Sequence, residues 1–260
     1  MITVVASHRR GVFPEPVAAK VPEIAFLFWV IKILTTAGGE ATSDYLALGS
    51  RLEAGAIEAG IFVACLVWQF RTRRYTAAAY WAFAYAIAIF GTGVADAMHL
   101  VVGIPYAGTT VLWAIVLALI FWLWYRSEHT LSIHSIYTRQ REVYYWAVVF
   151  ATFALGTALG DLTATTLHLG YLASGIMFFF VILIPAVAWK FVGLNSVVAF
   201  WFAYVVNPSA RRLVRRLLQQ AALHQRRQLR GRPGGPDHHD HRGRPGRLPG
   251  RGTPRHPAAR

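Results

Sequence analysis

One spacing recurs three times in this chain: a tryptophan, ten residues on a glycine, five more on an aspartate. It occurs at Trp29, Gly39 and Asp44, at Trp81, Gly91 and Asp96, and at Trp146, Gly156 and Asp161. A skeleton repeated without gaps restricts the chain to an array of similar units, each burying part of its apolar surface against the next. A fourth copy opens at Phe200–Trp201, but the slots for glycine and aspartate hold Arg211 and Arg216. The repeat is broken there.

The medium in which these units pack follows from composition. Of 260 residues 55% are apolar and 14% aromatic, and several apolar runs reach the roughly 20 residues that a bilayer requires. The lipid bilayer is therefore the first partner expected. A net charge of +14 suggests nucleic acid until it is divided along the chain. Residues 1–206 carry 12 Lys and Arg against 10 Asp and Glu, whereas 207–260 carry 14 Arg against 2 Asp. The basicity belongs to the tail, and a nucleic-acid partner is not expected. Cys65 is alone, which excludes a disulfide framework and a thiolate metal cluster. The first twenty residues lack an apolar stretch of signal-peptide length, so the first membrane helix is expected to direct insertion.

Apolar segments run over about 21–48, 52–70, 76–102, 109–125, 143–169 and 171–191. Each repeat thus reads as a helical hairpin, with a helix opening at Pro22 in the first. The fold class expected is an all-α polytopic membrane bundle of parallel two-helix repeats, with six full spans and a truncated seventh. The divisions are a lead (1–20), repeats 1 to 3 (21–74, 75–141, 142–192), a partial fourth repeat (193–206) and a basic tail (207–260). Arg71, Arg73, Arg74, Arg126, Arg139, Arg141 and Lys190 follow the second helices, and only Arg51 lies on the other side. This bias puts the N-terminus and the inter-repeat loops in the cytoplasm of a multi-pass protein of the inner (plasma) membrane. Because each unit contributes two spans, the copies enter the membrane in one direction and are related about its normal.

At this point the chain resembles a bacterial family of uncharacterised membrane-anchored proteins built from four tandem repeats of unknown function, each with two membrane helices and a characteristic tryptophan. The stretches that carry the likeness are 20–47, 80–97, 144–171 and 193–205, and it covers about 20–206. The resemblance implies that the fourth repeat continues past Tyr204 to an aspartate and an eighth helix. Here it departs into arginine-rich sequence instead.

The run 193–206 is 14 residues long, roughly 21 Å of helix against a hydrocarbon core near 30 Å. A short or re-entrant stub is expected, with the tail cytoplasmic. Residues 210–229 place leucines at helical spacing opposite arginines, a pattern suited to anionic lipid. Beyond lies a Gly, Pro, Arg and His tract without aromatics, expected to be disordered. A tail with fourteen Arg and no Lys or Glu is also what a GC-rich gene gives in the wrong reading frame, so a frameshift or assembly error near codon 206 is the expectation set against a genuine basic tail.

Acids within spans are costly and face the bundle interior or a watery path. Asp44, Asp96 and Asp161 at equivalent places would form a carboxylate ring in a pseudo-symmetric bundle. Glu40, His99 and His168 lie three, four or seven residues from them on the same helices, spacings that share a face. Carboxylate, imidazole and nearby hydroxyls suit a cation or a proton relay, although acids near the outer headgroups also cap and pair locally. Lys32, near mid-membrane, needs a carboxylate partner or a route to the headgroups, and Glu58 is the candidate partner. Gly39, Gly91, Gly156 and Gly160 let helices approach closely. Trp29, Trp81, Trp146 and Trp201 read as anchors in the interfacial belt. No phosphate loop, nucleophile elbow, zinc-protease pair or cysteine redox pair is present, so neither an enzyme nor a cofactor is expected. The functional expectation is a secondary transporter or exporter of a small solute or cation, and its rival is a membrane scaffold or sensor whose acids only hold helices together.

Overall fold

A computed structural model describes residues 13–207. The arginine-rich tail, with the amphipathic and frameshift readings attached to it, lies outside the described residues. Six helices follow one another: α1 (Phe26–Leu46), α2 (Arg51–Arg71), α3 (Ala77–Leu100), α4 (Tyr106–Glu128), α5 (Arg139–Asp161) and α6 (Gly170–Val187). A shorter apolar helix, α7 (Ser196–Asn207), opens the fourth repeat. The described residues contain no strand.

Local chemistry sets several of these ends. The Ser50 hydroxyl accepts from the Glu53 amide at the start of α2, and Thr138 accepts from the Arg141 amide at the start of α5. Each satisfies one of the donors that a helix leaves open at its N-terminus. His129 closes α4 in a left-handed conformation, φ 53°. Both α5 and α6 loosen into π-helical turns, Leu162–Thr166 and Ala188–Val192. Pro185 sits inside α6 just before the second of these, where it removes a helical donor.

The first helix starts later than the Pro22 expectation. Backbone groups of the lead are already engaged: Val17 N donates to Arg73 O, Ala19 O accepts from Tyr75 N, and Lys20 N donates to Ile136 O. The strap is thus tied to two loops, and α1 begins at Phe26.

Among the described residues, five helical segments are long and apolar enough to cross a membrane: Arg51–Arg71, Ala77–Leu100, Tyr106–Glu128, Arg139–Thr166 and Leu172–Val192. The chain is a multi-pass membrane protein on this ground. The expected sixth, α1, has the length, 21 residues, but Lys32 and Glu40 depress its apolarity. Both are buried, so its polar groups face protein.

The helices sort into two shells. In the crossing segments of α3 and α5, 56% and 78% of residues are buried, against 17% and 22% for α2 and α4. First helices of successive repeats pack in series, α1 on α3 and α3 on α5, while α2 packs chiefly on α3 and α4 chiefly on α5. Each of these second helices therefore covers the next repeat's first helix rather than its own. The α6 helix departs from this pattern, with an apolar groove of about 600 Å³ between it, α1 and α7.

The tryptophan end closes into a ring. The aromatic residue before each motif tryptophan touches the tryptophan of the next repeat: Phe28 meets Trp81 at 5.5 Å, Tyr80 meets Trp146 at 5.1 Å, and Tyr145 meets Trp201 at 6.1 Å between ring centroids. Phe200 then meets Trp29 at 5.9 Å and completes the circuit. Trp146 and Trp201 are 4% and 5% exposed, and Trp29 and Trp81 are half-buried. For Trp146 and Trp201 the belt expectation is corrected here. Those two indoles are core, because on an inner helix an amphipathic ring finds protein where an outer helix offers headgroups, while Trp29 and Trp81 pack against the core at its edge.

Candidate functional site

At the aspartate end the first three helices enclose a cavity of about 220 Å³. Its chemistry comes from four side chains. Glu58, on α2 and 4% exposed, accepts a 2.7 Å hydrogen bond from the Ser43 hydroxyl of α1. Asp96 of α3 and Arg51 at the start of α2 also line the space, and Arg51 donates to Leu100 O. Asp96 and Asp44 both lie near enough for their charges to act on Glu58. Gly93 completes the wall: a Cβ there would stand 1.8 Å from Glu58 Oε2, so the absence of a side chain makes the room this carboxylate occupies.

The motif residues divide between this cavity and other places. Asp44 and Asp96 are half-buried, whereas Asp161 is 4% exposed at the end of α5. Among the described residues no group of three or more His, Cys, Asp or Glu is arranged to hold a metal ion. The expected ring of three aspartates is thus not assembled as a ligand set. Glu40 is fully buried on α1. His99 is used locally: its Nδ1 bonds Ile104 O at 2.9 Å and its ring stacks on Tyr106 at 3.7 Å, which fixes the turn between α3 and α4. His168 is exposed in the connection to α6, with a left-handed backbone, φ 55°.

Lys32 and Glu58 are not brought together. The Lys32 ammonium lies over the rings of Phe153 and Tyr204, 4.3 Å and 3.9 Å from their centroids, while Glu58 faces Ser43. Cation–π contact is what a desolvated ammonium gains from aromatic neighbours. Glu58 meets α1 at Ser43, eleven residues nearer the aspartate end than Lys32, so the two lie about 16 Å apart in depth.

The packing reading of the glycines fits the geometry. A Cβ on Gly39 would come 2.4 Å from Ala88 Cβ, and one on Gly91 3.0 Å from Phe153 Cβ. Ala88 and Phe153 occupy the same place in successive repeats, so the two crossings are equivalent. Gly156 and Gly160 are buried on α5.

A buried ionic cluster at the opposite end was missed by sequence reasoning. Lys20 donates to Gln69 O at 2.9 Å and to Thr72 O at 2.8 Å, and pairs with Glu142 at 3.2 Å. Gln69 Nε2 donates to Glu142 at 2.9 Å, and Arg139 pairs with the same carboxylate. Lys20 is 1% exposed and Glu142 0%. Burial holds the Lys20 pKa below the ordinary 10.5, with Glu142 working in the other direction. The signal available in sequence was a lone lysine just before an apolar run and a glutamate in the first turn of a helix, and nothing in the spacing links them.

No curated protein and no solved structure matches the chain. The family described as Repeat of Unknown Function (DUF347) matches it three times, over residues 27–75, 79–130 and 144–194. Those three matches coincide with the three complete copies of the Trp, Gly, Asp skeleton and cover more than half of the sequence, so this chain belongs to the family built on that repeat.

Proposed function

We propose that this protein is a secondary transporter of a small solute or cation that uses carboxylates within its membrane-crossing helices. One observation carries the reading: Glu58, on a membrane-crossing helix and withdrawn from solvent, opens with Asp96 onto a 220 Å³ cavity rather than into packed side chains. A carboxylate is costly to bury in such a helix. Repaying that cost with a single serine hydroxyl, beside further acid charge, favours a group that exchanges a proton or a cation. In this reading Glu58 and Asp96 accept the charge, Ser43 orients the carboxylate and Arg51 stands at the rim.

The test is flux into proteoliposomes under an imposed pH or sodium gradient. Glu58→Gln and Asp96→Asn should each abolish gradient-driven uptake of the responding ion while leaving the purified protein folded. Uptake unchanged in both variants would end the transport reading. The rival reading, a scaffold or sensor, draws on His99, whose bond to Ile104 O and stacking on Tyr106 are purely architectural. Under it the same substitutions lower abundance and thermal stability without removing any flux.

A further inference from the structure

The α6 helix stands off the bundle. Its well-packed residue, Phe178, meets Val206 of α7 and Ala164 of the π-helical turn at the aspartate end. Toward the tryptophan end the groove of about 600 Å³ opens between α6, α1 and α7. Along α7 it runs from Ser196 to Asn207, about 16 Å of helix. Its walls are aliphatic and aromatic, and no charged side chain lines it. On the α6 wall Phe179 and Trp189 are 58% and 57% exposed. Since this helix belongs to a membrane-crossing segment, the groove is open sideways to lipid.

One polar side chain interrupts these walls at the deep end. Asn207 lines the groove and is 3% exposed, and its side-chain oxygen Oδ1 has no hydrogen-bond partner among the described residues. A buried acceptor left without a donor is unfavourable and requires an explanation. Ser196, the hydroxyl at the other end of the groove, is exposed and raises no such question.

We propose that this groove binds a neutral, lipophilic molecule of the long-chain alcohol class, which enters from the bilayer, donates its hydroxyl to Asn207 Oδ1 and lays its chain between α6 and α7. The volume falls within the roughly 300–1,000 Å³ of sites that hold a small molecule, and apolar walls with one placed polar group are the usual composition of such sites. A charged head is excluded, because nothing in the lining balances a charge at this depth. A plain hydrocarbon chain fits the walls but brings no donor to Asn207. No residue lines both this groove and the Glu58 cavity, so the site stands whether or not the protein transports anything.

The test is quenching of tryptophan fluorescence in the purified full chain, held in phosphatidylcholine nanodiscs and titrated with ω-bromododecanol or with bromododecane. Trp29 and Trp189 line the groove, within reach of a bromine at the far end of a chain anchored on Asn207. The alcohol should quench saturably, with a half-saturating mole fraction about tenfold below that of the alkane, equivalent to about 1.4 kcal/mol. Asn207→Leu should remove this preference, and Trp189→Phe should lower the saturable amplitude without moving its midpoint. Quenching that only grows in proportion to either probe would overturn the proposal. It is the result expected of bulk lipid, or of a groove covered by a second copy or by the chain beyond Asn207. A preference for the alcohol that survives Asn207→Leu would overturn it as well. Should that variant fail to fold, Ala203→Phe decides, because it fills the groove from α7: saturable quenching unchanged there rules the site out.

Discussion

The two ends of the inner helices use the same repeat in different ways. At the tryptophan end every copy does one job: each aromatic and tryptophan pair hands on to the next, and all four copies take part. At the aspartate end the copies diverge. Asp96 lines a cavity with Glu58, Asp44 is half-buried beside it, and Asp161 is buried where α5 loosens into a π-helical turn. Apolar ring packing is tolerant and needs only shape, so a repeated residue finds a repeated role. A buried carboxylate must be matched by particular donors, and those differ between copies. A shared motif therefore predicts a shared position better than a shared environment.

The largest effect should come from breaking the uniform end. Trp146→Ala removes an indole packed on Tyr80, Phe83 and Tyr145 and should cost about 3–5 kcal/mol, read as lost abundance and a lower unfolding temperature in detergent. Asp96→Asn, half-buried, should cost under about 1 kcal/mol in the same assay. If the two variants proved equally damaging, the contrast between the ends would fail.

Next comes the ionic cluster beneath the ring. Lys20→Met strips Glu142 of one of its two cations and should cost about 3 kcal/mol. It should also alter the alkaline pH profile. Because burial lowers the Lys20 pKa from 10.5, the unfolded chain binds the extra proton in the window just below that value. The Lys20 contribution to stability therefore rises with pH through that window and is flat at lower pH. The variant should lack that rise, and an unchanged slope would show that Lys20 is not the group responsible.

Gly39→Ala drives a Cβ against Ala88 at a helix crossing and should cost about 1–3 kcal/mol, measurable by thermal unfolding. A neutral result would mean that α1 and α3 separate easily, which would loosen the equivalence of the two crossings. The smallest effect has the opposite sign. Gly60, on the exposed face of α2, has nothing within 4 Å of an added Cβ, and Gly60→Ala should stabilise by about 0.5–1 kcal/mol through helix propensity alone.

Much of this was legible in the sequence. The threefold skeleton gives the repeats, and apolar runs give helices whose ends fall within a few residues of those observed, except at the start of α1 and at the end of α5, where the π-helical turn takes over. Gly39 and Gly91 show their role directly, because a small residue at helical spacing has few other uses inside a membrane. Other features were not legible because one signal serves two outcomes. A tryptophan near a helix end is equally suited to the headgroups and to a bundle core, and only the neighbouring helices decide. In the sequence Lys32 and Glu58 pair as the charges of one hairpin, but Glu58 meets α1 at Ser43, eleven residues from Lys32. At the tryptophan end the partial fourth repeat still supplies Phe200 and Trp201, which close the aromatic circuit.

The closed aromatic circuit also dictates an order of events during synthesis. Three of its four joints link neighbouring repeats and can form as soon as each hairpin enters the bilayer. The fourth, Trp29 with Phe200, joins the first helix made to the last one described. Until that joint forms, α1 carries an uncovered flank with Lys32 still lacking the ring of Tyr204. A nascent chain halted between the third and fourth repeats would expose that flank to lipid, to chaperones or to another copy of itself, so the protein's most vulnerable moment comes just before its ring is closed.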